Sequence, residues 1–160
     1  MKIGVISDTH IPERAKELPS AIFSAFKGVE LILHAGDLIE LSVLDKLKEI
    51  CPVKAVYGNM DSQEVKNILT QKEIIELGRF KIGIIHGWGS PDRLIETVKK
   101  EFPQKISVII FGHSHNPINQ LIGETLFFNP GSPTDRIFSV FNSYGILHID
   151  DKITGEIIKI

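Results

Sequence analysis

Five apolar runs along the 160-residue chain each stop at an acid, an amide or an imidazole. Ile3 to Ile6 leads into Ser7-Asp8-Thr9-His10, and Leu31 to Leu33 leads into His34-Ala35-Gly36-Asp37. Val53 to Tyr57 ends in Gly58-Asn59-Met60-Asp61, Ile82 to Ile85 in His86-Gly87, and Val108 to Phe111 in Gly112-His113-Ser114-His115. Two carboxylates (Asp8, Asp37), one amide oxygen (Asn59) and four imidazoles (His10, His86, His113, His115) make a mixed nitrogen and oxygen donor set. With no thiolate among them, such a set suits borderline divalent metals. Asp8-x-His10 and His113-x-His115 each place two donors two residues apart at a turn, within reach of one cavity. Seven donors exceed the need of one tetrahedral ion but serve two ions that share a bridging carboxylate.

Each of these residues also has a purely structural explanation. Asp8 and Asp37 follow strands, where Asp commonly caps a helix. Asn59 is a common turn residue, and a single buried histidine such as His86 is more often satisfied in a core than bound to a metal. Two imidazoles at one glycine-led strand end seldom serve packing alone, and the set taken jointly favours a metal site. Around it, His34 is a candidate hydrogen-bonding support for the Gly36-Asp37 turn. Arg14 and Arg136 are candidate phosphate contacts, against a default of solvated surface. Asn129-Pro130-Gly131-Ser132 reads as a structural turn, His148 as an ordinary strand residue, and Lys99-Lys100-Glu101 as the end of a helix where cations meet the dipole.

The elements that must position these groups follow from periodicity. Lys2 to Ser7, Glu30 to His34 and Cys51 to Tyr57 read as buried strands, the last broken at its start by Pro52. Between them, Leu18, Ile22 and Phe26 share one helical face, as do Val43, Leu44, Leu47 and Ile50, with Ser42 expected as N-cap. Strand-helix-strand order implies right-handed crossovers and a parallel core. Further on, Glu73 to Leu77 and Phe80 to His86 form an expected hairpin around Gly78-Arg79, and a helix is expected from Pro91 to Phe102 with Ser90 as N-cap. Strands are expected over Lys105 to Phe111, Pro117 to Ile122 and Thr125 to Asn129, and a closing hairpin over Tyr144 to Ile149 and Glu156 to Ile160. The sum is one α/β domain, parallel in its first half and more antiparallel in its second, with two packed sheets and helices outside. In open α/β sheets ligands bind beyond the carboxyl ends of the strands, which is where the seven donors fall.

Composition narrows the function. Apolar residues make up 42% and charged residues 24%, with a net charge of −2, so no basic stripe is available for extended nucleic acid. The single cysteine, Cys51, rules out an internal disulfide, agrees with a reducing compartment and is expected in the core. No apolar run approaches the ~20 residues of a membrane span, and an acid at position 8 argues against a signal peptide. A cytoplasmic protein without a membrane association is expected.

The succession Asp8-x-His10, Gly36-Asp37, Gly58-Asn59, His86-Gly87 and Gly112-His113-x-His115 resembles the calcineurin-like metallophosphoesterase superfamily. All five blocks stand in order, and with Asn129-Pro130-Gly131-Ser132 the chain is similar end to end to the compact microbial phosphodiesterases of that superfamily. The resemblance implies a four-layer α/β/β/α sandwich. It implies one metal held by Asp8, His10 and His115, another by Asn59, His86 and His113, and a bridging Asp37. Asp37 and His10 are the catalytic candidates within this set. The implied cofactors are two divalent transition-metal ions, Mn2+ or Ni2+ first and Fe, Co or Zn next. The implied reaction is hydrolysis of a small phosphate ester by in-line attack of a metal-bridging hydroxide. Many members carry a proton-donating histidine after the Gly-Asn pair; Met60 stands there instead, which points to phosphodiesters with good leaving groups. Two other readings accompany the resemblance: a non-catalytic scaffold, since a eukaryotic retromer subunit shares the compact fold, and a nuclease, which lacks a basic groove here. A homodimer is compatible with the sequence.

Overall fold

The computed structural model describes residues 1–160. Two five-stranded sheets face each other. The first contains β1 (Lys2–Ile6), β2 (Leu31–His34) and β3 (Val53–Ala55) in parallel, with β9 (Ser143–Ile149) antiparallel beside β1 and β10 (Ile153–Lys159) outside it. The second contains β5 (Phe80–Ile85), β6 (Val108–Ile110) and β8 (Thr125–Asn129) in parallel, flanked by antiparallel β4 (Lys72–Leu77) and β7 (Ile118–Ile122).

Period-two alternation divides each central strand between two cores. Ile3 and Val5 of β1 and Leu31 and Leu33 of β2 point between the sheets, where they meet Ile82, Ile84, Val108, Ile110 and Phe128. Ile6 and Ile32 point outward against α1 (Ser20–Ala25) and α2 (Ser42–Lys48), through Ile22, Phe26, Val43, Leu44 and Leu47. On the far side Ile85, Ile109 and Phe127 meet Leu94, Val98 and Phe102 of α4 (Leu94–Lys100) and its extension. Helices therefore cover the outer face of each sheet, giving the α/β/β/α order of layers.

Several local expectations are corrected. The more antiparallel second half is present in the β4–β5, β7–β8 and β9–β10 pairings, but its strands β5, β6 and β8 form a parallel centre of their own, and the closing hairpin crosses over to pair with β1 of the first sheet. Ser42 is the first residue of α2 and not its cap, since its hydroxyl donates to Glu40 Oε2 at 3.3 Å and the cap position is Leu41. The helix expected from Pro91 begins as a 3-10 turn over Pro91–Arg93, with Ser90 at the cap position but without a side-chain cap bond. The last strand is longer than expected and starts at Ile153 after a tight turn. A short helix that periodicity did not reveal, α3 (Gln63–Ile68), is capped by Ser62 Oγ accepting from Val65 N at 3.3 Å. Cys51 is half-buried at the edge of the helix-covered core, not within it. No helix is long and apolar enough to cross a membrane.

Candidate metal centre

The carboxyl ends of β1, β2, β5 and β6 converge on one cavity edge. Asp8, His10, Asp37, His86 and His115 are all buried there, whereas His113 is half-buried and Asn59 exposed. The donor atoms of Asp8, His10 and His115 lie within 4.8 Å of one another, and so do those of Asp8, Asp37 and His86. Asp37 Oδ2 stands 3.6 Å from His10 Nε2 and 3.2 Å from His86 Nε2. It therefore faces one imidazole of each implied ligand set. His113 and Asn59 form a pair at the rim, with Nδ1 and Oδ1 3.1 Å apart, and the His113 ring sits edge-on to His86 with centroids 5.4 Å apart.

Backbone conformation marks the same residues. Asp8, His10, Asp37, His113 and His115 all adopt positive φ, between 43° and 69°. Non-glycine residues seldom enter this left-handed region, and their clustering here is strain concentrated at one site. The turns are also closely packed. A Cβ at Gly58 would overlap the Asp37 carboxylate, and one at Gly112 would overlap Ser7 Oγ, so only glycine lets these backbones approach.

Hydrogen bonds fix the tautomers. His86 Nδ1 lies 2.8 Å from the Ala35 carbonyl, which can only accept, so the proton sits on Nδ1. The buried Nε2 has no hydrogen-bond partner and turns its lone pair toward Asp37 Oδ2 and, at 3.8 Å, Asp8 Oδ1. His115 repeats the pattern: Nδ1 donates to Asp135 Oδ2 at 2.7 Å, leaving Nε2 3.3 Å from Asp8 Oδ1 and 3.1 Å from His10 Nε2. Lone pairs crowded this way repel unless a cation lies among them, so the donors fit divalent metal.

In the absence of metal a proton answers the same field. Burial would lower the His86 imidazole, but Asp8 and Asp37 outweigh it and push it up to about 9. For His115, burial is likewise outweighed by Asp8 and Asp135, and the ring is pushed up to about 9. Burial would raise the Asp8 carboxyl, yet His86, His10 and His115 hold it well below the usual carboxylate range.

His34 is fully buried; its Nδ1 accepts from Gly36 N at 3.1 Å, and its Nε2 is 3.1 Å from Thr9 Oγ1. It joins the turns after β1 and β2, and burial, its main influence, lowers it to about 3, so it stays neutral. Asn129, also buried, donates to Gly112 O at 2.8 Å and to Ser114 Oγ at 3.1 Å, while Ser132 Oγ donates to Asp8 O at 2.7 Å. That segment braces the donor loops from behind. Arg136 is exposed and does not line the cavity, whereas Arg14 does.

Two supporting acids escaped the sequence reading. Asp61 accepts from Asp37 N at 2.9 Å, Gly58 N at 2.7 Å and Ile39 N at 2.6 Å, locking two donor turns together. Its place directly after Gly58-Asn59-Met60 was the available signal. Asp135, 1% exposed, orients His115 and also accepts from the backbone N–H groups of Ile137, Phe138 and Ser139. Nothing in its sequence neighbourhood distinguishes it from a surface acid.

A two-sheet sandwich with a donor cluster at its strand ends is the architecture of a metallophosphoesterase. Residues 1–152 match the calcineurin-like phosphoesterase superfamily domain, and the chain belongs to that family. It is 42% identical to a probable metallophosphoesterase of Methanocaldococcus jannaschii, over 100% of this chain and 82% of the relative. A phosphodiesterase of the same organism is 28% identical, with 99% of both chains covered. Wild-type Vps29 of Entamoeba histolytica, solved in complex with Zn2+, shares the fold with a TM-score of 0.76, at 24% identity over 99% of both chains.

Proposed function

We propose that the chain is a dinuclear metal-dependent phosphodiesterase that hydrolyses small phosphodiesters. The observation that carries the reading is the orphaned, buried His86 Nε2 aimed at Asp37 Oδ2, with His115 Nε2 aimed at Asp8 in the same way. Asp8, His10 and His115 would hold one ion, and Asn59, His86 and His113 the other, with Asp37 between them. Mn2+ or Ni2+ is the first choice, with Fe, Co or Zn next, because borderline metals match imidazole and carboxylate donors. When bound, such ions would polarise phosphoryl oxygens and bring the pKa of a bound water toward neutrality.

The chain's own residues set the rest. Ala35 and Asp135 hold two imidazoles with their lone pairs inward, and Asp61 and His34 hold the turn that presents Asp37. Met60 donates its backbone N–H to Asp37 Oδ1 at 2.8 Å, but its side chain has no proton to give a leaving group. Esters with good leaving groups, such as aryl phosphodiesters, should therefore turn over faster than alkyl monoesters. All seven donors come from one chain, so a homodimer is not required. The single free cysteine agrees with a reducing compartment such as the cytoplasm.

The second reading is a non-catalytic scaffold, since the chain shares its fold with Vps29 and the fold alone does not require catalysis. One experiment separates the two. Protein stripped of metal is given Mn2+, Ni2+, Co2+, Zn2+ or Mg2+ in turn, with metal content and hydrolysis of an aryl phosphodiester and its monoester measured. Stoichiometric uptake of two ions with diester hydrolysis is expected; trace uptake would transfer the chain to the scaffold class, and activity that survives exhaustive chelation would end the metal mechanism.

A further inference from the structure

Five of the candidate donors, His10, Asp37, Asn59, His113 and His115, line one side of a cavity of about 530 Å³, whose remaining wall includes Arg14, Glu13, Met60, Pro91, Asn116 and Phe138. That volume lies in the range that holds a drug-sized ligand and exceeds what a bare phosphate needs. Its chemistry is selective. Phe138 is a large aromatic residue with 60% of its surface exposed, and Met60 has 50% exposed. The backbone beneath each is fixed: Phe138 N donates to Asp135 Oδ2 at 2.8 Å, and Met60 N to Asp37 Oδ1. The Phe138 ring stands edge-on to His115, with centroids 5.9 Å apart. The Arg14 guanidinium lies 5.4 Å from the Phe138 centroid, and its Nε is 3.9 Å from Asp135 Oδ1. The buried Asp135 thus anchors a cation, an aromatic ring and a donor imidazole together.

We propose that this wall is a subsite for a flat aromatic group carried by the phosphodiester, with Phe138 and the Arg14 guanidinium as its stacking surface. The proposal rests on the phosphodiesterase reading and names the class of ester that it takes. Aromatic rings stack on phenyl and guanidinium faces and make favourable contacts with thioether sulfur. A polyphosphate chain is a poor alternative, because Arg14 is the only lysine or arginine in the wall and Glu13 stands beside it. The ester group that remains on phosphorus after cleavage is therefore an aryl, benzyl or nucleobase-bearing group, not a second phosphate.

The test holds the leaving group constant. Benzyl p-nitrophenyl phosphate and cyclohexylmethyl p-nitrophenyl phosphate release the same phenolate and differ in the flat ring alone. With the metal-loaded protein, KM for the benzyl ester should be about fivefold lower. Phe138→Ala should bring the ratio of the two KM values close to one, Phe138→Tyr should retain it, and Arg14→Met should reduce it. Binding of benzylphosphonate and cyclohexylmethylphosphonate, followed by calorimetry, gives the same comparison without turnover. Equal binding of the two, or a ratio that Phe138→Ala leaves intact, overturns the subsite. Preferential binding of the benzyl ligand without hydrolysis of either ester would support the subsite while removing the catalytic reading.

Discussion

The loops that leave the two sheets contribute differently to the centre. Those after β1, β2 and β3 supply Asp8, His10, Asp37 and Asn59, with both carboxylates among them, and those after β5 and β6 supply only imidazoles. The acids are held by backbone N–H groups and one hydroxyl: Asp37 Oδ1 accepts from Met60 N, and Asp8 Oδ2 accepts from His113 N at 3.1 Å and from Ser7 Oγ at 2.7 Å. Two of the three imidazoles of the second sheet are held through the ring nitrogen turned away from Asp8 and Asp37, by Ala35 O for His86 and by Asp135 for His115. One sheet carries the negative charge, and the other carries most of the directed lone pairs. The closest approaches of acid and imidazole, 3.2 and 3.3 Å, are those where the two sheets meet.

Removing charge should break the arrangement most severely. Asp37→Ala takes away the carboxylate that faces one imidazole of each set, and diester turnover should fall by about 10³-fold or more, with loss of bound metal measured on the same sample. Retention of both ions together with normal turnover would show that Asp37 is not shared. Removing direction should be milder. Asp135→Asn keeps the shape beside His115 but no longer favours a proton on Nδ1, so metal affinity should drop about 10–100-fold. Competition with a chelator reads that affinity directly, and excess metal should restore turnover. An unchanged affinity would reduce Asp135 to a brace for the loop that carries Phe138.

How much of this was legible in the sequence follows the same division. The seven candidate donors stand at strand ends, most of them in turns that carry a glycine, so type and spacing singled them out, and the parallel centre of the first sheet followed from alternating strands and amphipathic helices. Residues acting through long-range hydrogen bonds were not legible. Asp135 reaches His115 across 20 positions, and Asp61 reaches Asp37 across 24, by contacts that no local pattern encodes. The closing hairpin was found, but its partner was not, because pairing of β9 with β1 joins opposite ends of the chain and periodicity carries no information about distant register. Ser42 misled for a related reason: a serine before an apolar face suits the cap, but the chain was already helical at Leu41.

The smallest expected effect tests whether the acids of the first sheet set the protonation of the second. In metal-free protein His86 and His115 titrate near 9 when folded and near 6.5 when unfolded. A raised folded pKa contributes stability that is complete below about pH 6.5 and is lost as pH rises through about 9. His34 works in the opposite sense. Its lowered folded pKa, about 3, contributes stability that is present above pH 6.5 and lost as pH falls toward 3. Denaturation of the metal-free protein should therefore show greatest stability near pH 6.5, with a decline on both sides. Metal displaces the two protons, so its uptake should release protons and tighten as pH rises toward 9. The alkaline decline should then flatten in the loaded protein while the acid decline remains. A metal-free protein whose stability is level or rising from pH 6.5 to 9 would mean that the carboxylates do not govern the imidazoles, and that the two sheets are less tightly coupled than their 3.2–3.8 Å separations suggest.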